Sequence, residues 1–287
     1  MSRIAYVNGR YVRHAEAAVH IEDRGYQFAD GVYEVCEIWR GKVVDERRHL
    51  DRLERSLREL SIAMPMSRAA LAQVMREVIH RNRVQSGIVY LQVTRGVARR
   101  DHVFPPAGTR PALVITSRAV RPEVGDKAAE AGVGVITVPE NRWDRVDIKS
   151  VGLLPNVLVK QKAKEAGAKE AWFVDADGFV TEGGSTNAWI ITTDNTLVTR
   201  PAEHGILAGI TRRVVLDMIE REGLSFDERP FTVEEAKNAK EAFITAATTL
   251  VMPVVKVDDA VIGNGHPGSF ASELRSKFHE VSELEPV

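Results

Sequence analysis

Arg145-Val146-Asp147-Ile148-Lys149-Ser150, continuing through Val151-Gly152-Leu153-Leu154-Pro155-Asn156, is the stretch on which the reading of this chain turns. A short apolar/polar alternation leads to Lys149 and reads as a strand end. A Gly/Pro-interrupted loop follows, and helical spacing resumes from about Val157 to Ala166. A lysine at a strand end that faces a turn can be desolvated, and desolvation lowers the pKa of an amine. Such an amine can act as a Schiff-base nucleophile. Taken alone, Lys149 is better read as one more solvated charge among 39 Lys and Arg residues. Its neighbours along the chain decide between the two.

Composition narrows the classes. A chain of 287 residues has room for two domains, and 44% apolar with 28% charged residues is the balance of a soluble globular protein. A net charge of -1 gives no electrostatic case for nucleic acid or an anionic membrane surface. The single cysteine, Cys36, excludes an internal disulfide and is expected as a small buried strand residue. His14, His20, His49, His80, His102, His204, His266 and His279 are scattered without metal-ligand spacing, so no metal is expected. Met1 to Val12 lacks a secretory pattern and no apolar run approaches membrane-spanning length, so a cytoplasmic location is the default expectation.

Outward from Lys149 the pattern is α+β. Asn8-Gly9 predicts a hairpin between Ile4–Val7 and Arg10–Val12. Val32–Trp39 reads as a strand returning through Lys42–Val44, and Leu50, Leu53, Leu57 and Leu60 mark an amphipathic helix over 49–60. A second helix is expected over 68–83, with strands at 88–95 and 112–117. The polar run Arg118–Asp126, with Pro122 and Gly125, reads as a boundary. A small N-terminal domain is therefore expected at 1–118, a linker at 119–126, and a larger C-terminal domain carrying Lys149 at 127–287. In that second part strands are expected near 132–138, 171–174, 188–192 and 241–245, and helices at 156–166, 210–222 and 232–239. The strand content should be mostly antiparallel or mixed. No Gly-x-Gly-x-x-Gly follows a strand and no Gly-x-Ser-x-Gly elbow exists, which removes the dinucleotide-binding and common serine-hydrolase readings.

Four further clusters carry chemistry. Gly205-Ile206-Leu207-Ala208-Gly209-Ile210-Thr211-Arg212 opens a helix whose backbone N–H groups and Thr211 hydroxyl could take phosphate oxygens; an ordinary helix start fits as well. Arg52, flanked by core leucines, is a candidate cation for the same phosphate, although a solvated helix-face arginine is the simpler reading. Thr181-Glu182-Gly183-Gly184-Ser185-Thr186-Asn187 reads as a polar turn between two strands, in which Glu182 could stay ionised against a protonated ring nitrogen or be an exposed hairpin glutamate. Arg100 and His102, two residues apart in a basic loop, can both donate to one carboxylate or can simply be solvated.

Taken together, these blocks resemble the fold-type IV pyridoxal-phosphate enzymes, and within them the D-amino acid transaminases. The resemblance starts at Glu22-Asp23-Arg24-Gly25-Tyr26-Gln27-Phe28 and Asp30-Gly31-Val32-Tyr33-Glu34-Val35. It continues through His49-Leu50-Asp51-Arg52-Leu53, Gln92-Val93-Thr94-Arg95-Gly96, Asp147-Ile148-Lys149-Ser150 and Thr181-Glu182-Gly183 to Gly209-Ile210-Thr211-Arg212, and covers roughly residues 5 to 255. It implies a two-domain α+β fold with a small N-terminal domain and a larger domain built on a barrel-like mixed sheet. It also implies pyridoxal 5'-phosphate as cofactor and a homodimer as the working form.

The roles it implies are these. Lys149 carries the cofactor and moves the substrate proton, Glu182 faces the ring nitrogen, and Arg52, Ile210, Thr211 and the Ala247 backbone hold the phosphate. Tyr33, Val35 and Tyr90 line the substrate pocket, Arg142 lies near the Schiff base, and Arg100 with His102 reaches in from the neighbouring subunit to trap the substrate carboxylate. Two positions depart from the pattern: Gly184 stands where relatives carry serine, and Ala246-Ala247 where a hydroxyl-rich run is usual. One lost neutral hydrogen bond weakens binding by about 0.5–1.5 kcal/mol. The expected reaction is transfer of an amino group from a D-amino acid to a 2-oxo acid by a ping-pong route. Branched-chain L-amino acid transaminase, (R)-amine transaminase, an aminodeoxychorismate-type lyase and a catalytically silent relative are the competing expectations. Arg100-x-His102 argues against the first two, and the retained Lys149, Glu182 and Arg52 against silence.

Overall fold

A computed structural model describes residues 3–203 and 205–287. The chain divides into two units, and the first takes in residues 1–121 together with Ile148–Gly152 and Glu283–Val287. Its hairpin pairs β1 (Ile4–Val7) with β2 (Arg10–Arg13) around Asn8 and Gly9, both at positive φ as a tight hairpin turn requires. After the short helix α1 (Arg24–Phe28) come β3 (Gly31–Trp39), β4 (Lys42–Val44), α2 (Glu46–Glu59), α3 (Arg68–Asn82), β5 (Gly87–Thr94) and β6 (Ala112–Ala119). A last strand, Leu284–Pro286, pairs with β4. The seven strands are antiparallel throughout, in the order Leu284–Pro286, β4, β3, β5, β6, β1, β2.

The alternation of β3 decides which side chains meet. Val32, Glu34, Cys36 and Ile38 are buried, while Tyr33, Val35, Glu37 and Trp39 stand half-buried on the opposite face. The buried phase packs with Leu50, Leu53 and Leu57 of α2 and Leu71, Met75 and Val78 of α3. Each such leucine contributes roughly 1.5–3 kcal/mol by leaving water. Ile148 joins this core, which anchors the Lys149 stretch in the first unit.

The second unit holds residues 122–147 and 153–282. It contains α4 (Pro122–Ala131), β7 (Val133–Pro139), α5 (Leu154–Glu165), β8 (Glu170–Val174), β9 (Val180–Gly183), β10 (Asn187–Ile191), β11 (Leu197–Thr199) and α6 (Ile210–Glu222). Then follow β12 (Phe226–Glu228), α7 (Val233–Lys237), β13 (Glu241–Ala246), β14 (Leu250–Val257), β15 (Ala260–Val261) and α8 (Ser269–Val281). The sheet runs β12, β11, β10, β13, β14, β7, β8, β9, with β15 on β14. It is mixed: β14–β7, β7–β8 and β11–β12 are parallel and the other pairs antiparallel. Strands β10 and β11 are buried at every residue and read as near-continuous apolar runs rather than alternations, whereas β9, equally buried, carries Thr181 and Glu182.

Three local expectations change. Lys149 does not end a strand: residues 144–147 form a turn, closed by Arg145 Nε donating to Asp147 Oδ1 at 2.9 Å, and Ser150 makes only an isolated bridge to Val32. Residues 122–126, expected within a linker, open helix α4, because proline is well placed in a first helical turn. Thr181 and Glu182 lie in strand β9, and the turn is confined to 184–186.

Candidate active site

In the first unit the Lys149 stretch runs against the start of β3. The Tyr33 N–H donates to the Lys149 carbonyl at 3.0 Å and the Val151 N–H to the Gly31 carbonyl at 3.0 Å. The Lys149 N–H reaches Ser56 Oγ of α2 at 3.4 Å. These bonds leave the side chain half-buried, with Nζ 4.3 Å from the centre of the Tyr33 ring. Lys149, Tyr33, Val35 and Tyr90 therefore gather on one side: Val35 pairs with Tyr90 across β3 and β5, and the Tyr33 and Tyr90 rings are 5.7 Å apart. Burial, then the neighbouring Tyr33, push the Tyr90 phenol up to about 12, so its hydroxyl stays protonated and donates to Gln92 Oε1 at 2.6 Å.

Arg52 lies on the buried phase instead. Its Nε and Nη2 donate to Glu34 Oε1 and Oε2 at 2.7 and 2.8 Å, and His49 Nδ1 lies 2.7 Å from Oε2. Burial alone would raise the Glu34 carboxyl, but Arg52 and His49 hold it well below the usual carboxylate range. Arg52 sits one helical turn before Ser56, the residue that meets the Lys149 backbone. Arg100 and His102 are exposed and both face the Phe28 ring, Arg100 Cζ at 5.0 Å from its centre and the His102 ring at 5.5 Å.

In the second unit Glu182 is 5% exposed and meets three donors. Arg142 Nη1 reaches Oε1 at 2.5 Å, while Asn187 Nδ2 and the Leu207 N–H reach Oε2 at 3.0 and 3.1 Å. Burial nevertheless pushes the Glu182 carboxyl up, against the pull of Arg142, because Arg142 is shared. Its Nε and Nη2 also grip Glu140 at 2.8 and 2.6 Å, and there the guanidinium outweighs burial and holds the carboxyl down.

Asn187 Nδ2 also donates to the Leu207 carbonyl at 2.9 Å, two residues before Gly209 caps α6. A Cβ added at Gly209 would stand 2.1 Å from Asn187 Oδ1, so only glycine lets the helix start lie this close. Ile210 and buried Thr211 open the helix behind Gly209, an N-cap with no side chain to bond the first N–H groups. Asn187 pairs with Thr245, which brings the Ala246-Ala247 turn at the end of β13 to the same edge.

Sequence reasoning missed four of these residues. Glu34 was legible as a charge on the apolar phase of β3, and Glu140 as a carboxylate two residues from Arg142. His49 was visible one turn before Arg52. Asn187 carries no local signal, since its partners Glu182 and Leu207 come from two other elements. Among the described residues no group of three or more His, Cys, Asp and Glu is placed to hold a metal; His204 lies outside them. No helix among them is long and apolar enough to cross a membrane.

The first unit thus offers a lysine beside a tyrosine ring, and the second a buried carboxylate tied to the start of α6. The model of the amino-transferase class IV family matches residues 31–257, and the chain belongs to that family. It is 42% identical over 269 residues to a D-alanine aminotransferase of Bacillus licheniformis, covering 94% of this chain and 93% of that protein. It is 37% identical to a D-alanine aminotransferase of Staphylococcus haemolyticus, covering 97% of each. In fold it matches the branched-chain amino acid aminotransferase from Escherichia coli, at a TM-score of 0.88 and 24% identity, over 97% of this chain and 94% of that one.

Proposed function

We propose that this enzyme is a D-amino acid transaminase that uses pyridoxal 5'-phosphate and passes the amino group of a D-amino acid such as D-alanine to a 2-oxo acid. One observation carries the cofactor: Glu182 and the α6 start are locked to each other through Asn187. An anion-binding helix start and a buried carboxylate in want of a cation match the two polar ends of that molecule. When bound, the cofactor supplies an aldehyde and an electron-withdrawing ring. Glu182 holds a proton on the ring nitrogen and Asn187 keeps the carboxylate turned to it. The N–H groups at Ile210 and Thr211, the Ala247 N–H and Arg52 hold the phosphate. Lys149 takes the proton from the substrate Cα and returns it, as base and then acid, and the Tyr33 ring limits where its amine can swing.

Arg100 and His102 bind the substrate α-carboxylate, and Tyr33, Val35 and Tyr90 line the side-chain pocket. We place Arg100 and His102 at the site of a neighbouring subunit in a homodimer. Their exposure supports this, as does that of Tyr26, Val97, Val103 and Phe104, apolar side chains that a partner subunit would cover. The nearly full-length identity to two D-alanine aminotransferases supports the choice of D-amino acids over branched-chain L-amino acids.

The deciding experiment mixes holoenzyme with D-alanine, L-leucine or (R)-1-phenylethylamine, one at a time without acceptor, and follows the cofactor absorption band. Rapid conversion by D-alanine and not by L-leucine is expected; the reverse preference overturns the substrate assignment. Lys149→Ala should abolish both the protein-linked band and turnover, and a normal band in that variant removes Lys149 from its role.

A further inference from the structure

The segment bearing Arg100 and His102 is exposed; backbone bonds tie its start to the Glu22–Arg24 stretch, and one buried side chain reaches its middle. Arg24 is 4% exposed. Its Nε donates to Asp30 Oδ2 at 2.8 Å, and its Nη1 donates to the carbonyl of Asp101, the residue between Arg100 and His102, at 2.6 Å. Its guanidinium carbon lies 4.7 Å from the centre of the Phe28 ring, the ring that Arg100 and His102 also face. Asp30 does not need Arg24 for its own neutralisation. Arg95 already holds it with two bonds, Nε to Oδ2 at 2.7 Å and Nη2 to Oδ1 at 2.9 Å. Two buried guanidiniums against one carboxylate leave a surplus cation, which is costly to desolvate and weak grounds for stability alone. Arg95 has its own uses: it donates to the Leu60 and Ser61 carbonyls, and the Phe104 ring covers it at 3.7 Å. Arg24 is the side chain that joins Asp30, the Asp101 carbonyl and Phe28 at once.

We propose that Arg24, fixed by Asp30, is the positioning residue of the carboxylate clamp: it sets the backbone between Arg100 and His102 and the ring on which both rest. The inference rests on the assignment of Arg100 and His102 to the substrate carboxylate made above. Arg24 itself touches no substrate in this scheme. It acts by fixing where two donors sit, and a misplacement of about 1 Å in such donors is enough to weaken a carboxylate contact by up to about 10²-fold.

The test compares D-alanine with D-alaninamide, which lacks the carboxylate charge, in single-turnover conversion of the cofactor band by wild type and Arg24→Gln holoenzyme. Arg24→Gln should raise the half-saturating concentration of D-alanine about tenfold or more while that of D-alaninamide moves less than about twofold. An equal loss for both substrates, or no change for D-alanine, overturns the proposal. Hydrogen exchange of the same variant gives an independent readout: amides within 96–104 should exchange faster and those of β3 and β5 should not. Unchanged exchange in that segment, or acceleration throughout the unit, also overturns it. Phe28→Leu keeps the Arg24–Asp30 pair and should lower the D-alanine to D-alaninamide discrimination in the same direction, which serves if Arg24→Gln does not fold. If wild type does not convert with D-alanine at all, the substrate assignment fails, and the exchange experiment still decides whether Arg24 holds the segment.

Discussion

Each unit buries a glutamate against an arginine, and the two carboxyls move in opposite directions. Glu34 in the first unit takes Arg52 on both oxygens and His49 on one, and it is held down. Glu182 in the second unit has to share Arg142 with Glu140, and burial pushes it up. Burial raises both, so the difference lies in how much positive charge each can call its own. A carboxylate with an arginine on both oxygens and an imidazole nitrogen on one is finished as it stands and serves to lock β3 to α2. One that shares its single cation has something to gain from another, and under the proposed function a protonated ring nitrogen would be that cation.

Removing the two carboxylates should therefore fail in different ways. Glu182→Ala is expected to lower turnover about 10³-fold, the scale of losing a preorganised electrostatic partner. Its cofactor-free form should unfold in urea within about 1 kcal/mol of wild type, because Arg142 keeps Glu140. A strongly destabilised but active variant would break the contrast. Glu34→Ala leaves Arg52 buried without its carboxylate and should cost about 3–5 kcal/mol in the same urea titration. A loss below about 1 kcal/mol would mean that the pair carries little of the fold.

The pH dependence sharpens the comparison by sign. The Glu34 carboxyl lies lower folded than its ordinary 4.5, so its stabilisation is complete above that pH and is lost as pH falls toward the folded value. Glu34→Gln should flatten this acid limb in urea midpoints of the cofactor-free protein. The Glu182 carboxyl lies higher folded than unfolded, so its penalty enters as pH rises past 4.5 and persists at neutral pH. Glu182→Gln removes a group that gains stability as pH falls and should therefore steepen the acid limb, and an identical pH profile for both variants would erase the distinction. The smallest effect expected is at the phosphate end: Ala247→Thr restores one hydroxyl and should slow cofactor loss by an amount equal to about 0.5–1.5 kcal/mol.

Much of this was legible in the sequence where neighbours along the chain settle the conformation. Helix α6 runs from Ile210 to Glu222 as its spacing predicts, bounded by Gly209 before it and Gly223, left-handed at φ 63, after it. The Asn8-Gly9 hairpin is equally local. What was not legible depends on residues far apart. Lys149 looked like a strand end, but its place is set by Tyr33, Gly31 and Ser56, which no window around 149 contains. Glu182 looked like part of a glycine-rich turn because Gly183 and Gly184 resemble a loop. In fact Gly183 continues β9 where Thr186 Oγ1 would stand 2.1 Å from any Cβ, so closeness and not turn geometry requires glycine there. The pull of family motifs named Arg52, yet only the folded chain reveals that Glu34 and His49 surround it.

The strand Leu284–Pro286 carries a consequence for synthesis. It closes the sheet of the first unit by pairing with β4, and Arg47 and Arg76 both reach back to this stretch, to Glu283 and to the Pro286 carbonyl. Ile148 likewise fills a core that is otherwise made of residues from the first 121. A nascent chain that has released only those residues from the ribosome therefore holds a sheet with an open β4 edge and a gap in its core. The edge stays open until residues 284–286 have been made. The first unit is complete only once residues 284–286 have been made, and truncation just before residue 284 should be felt by β4 and its neighbours rather than by α8.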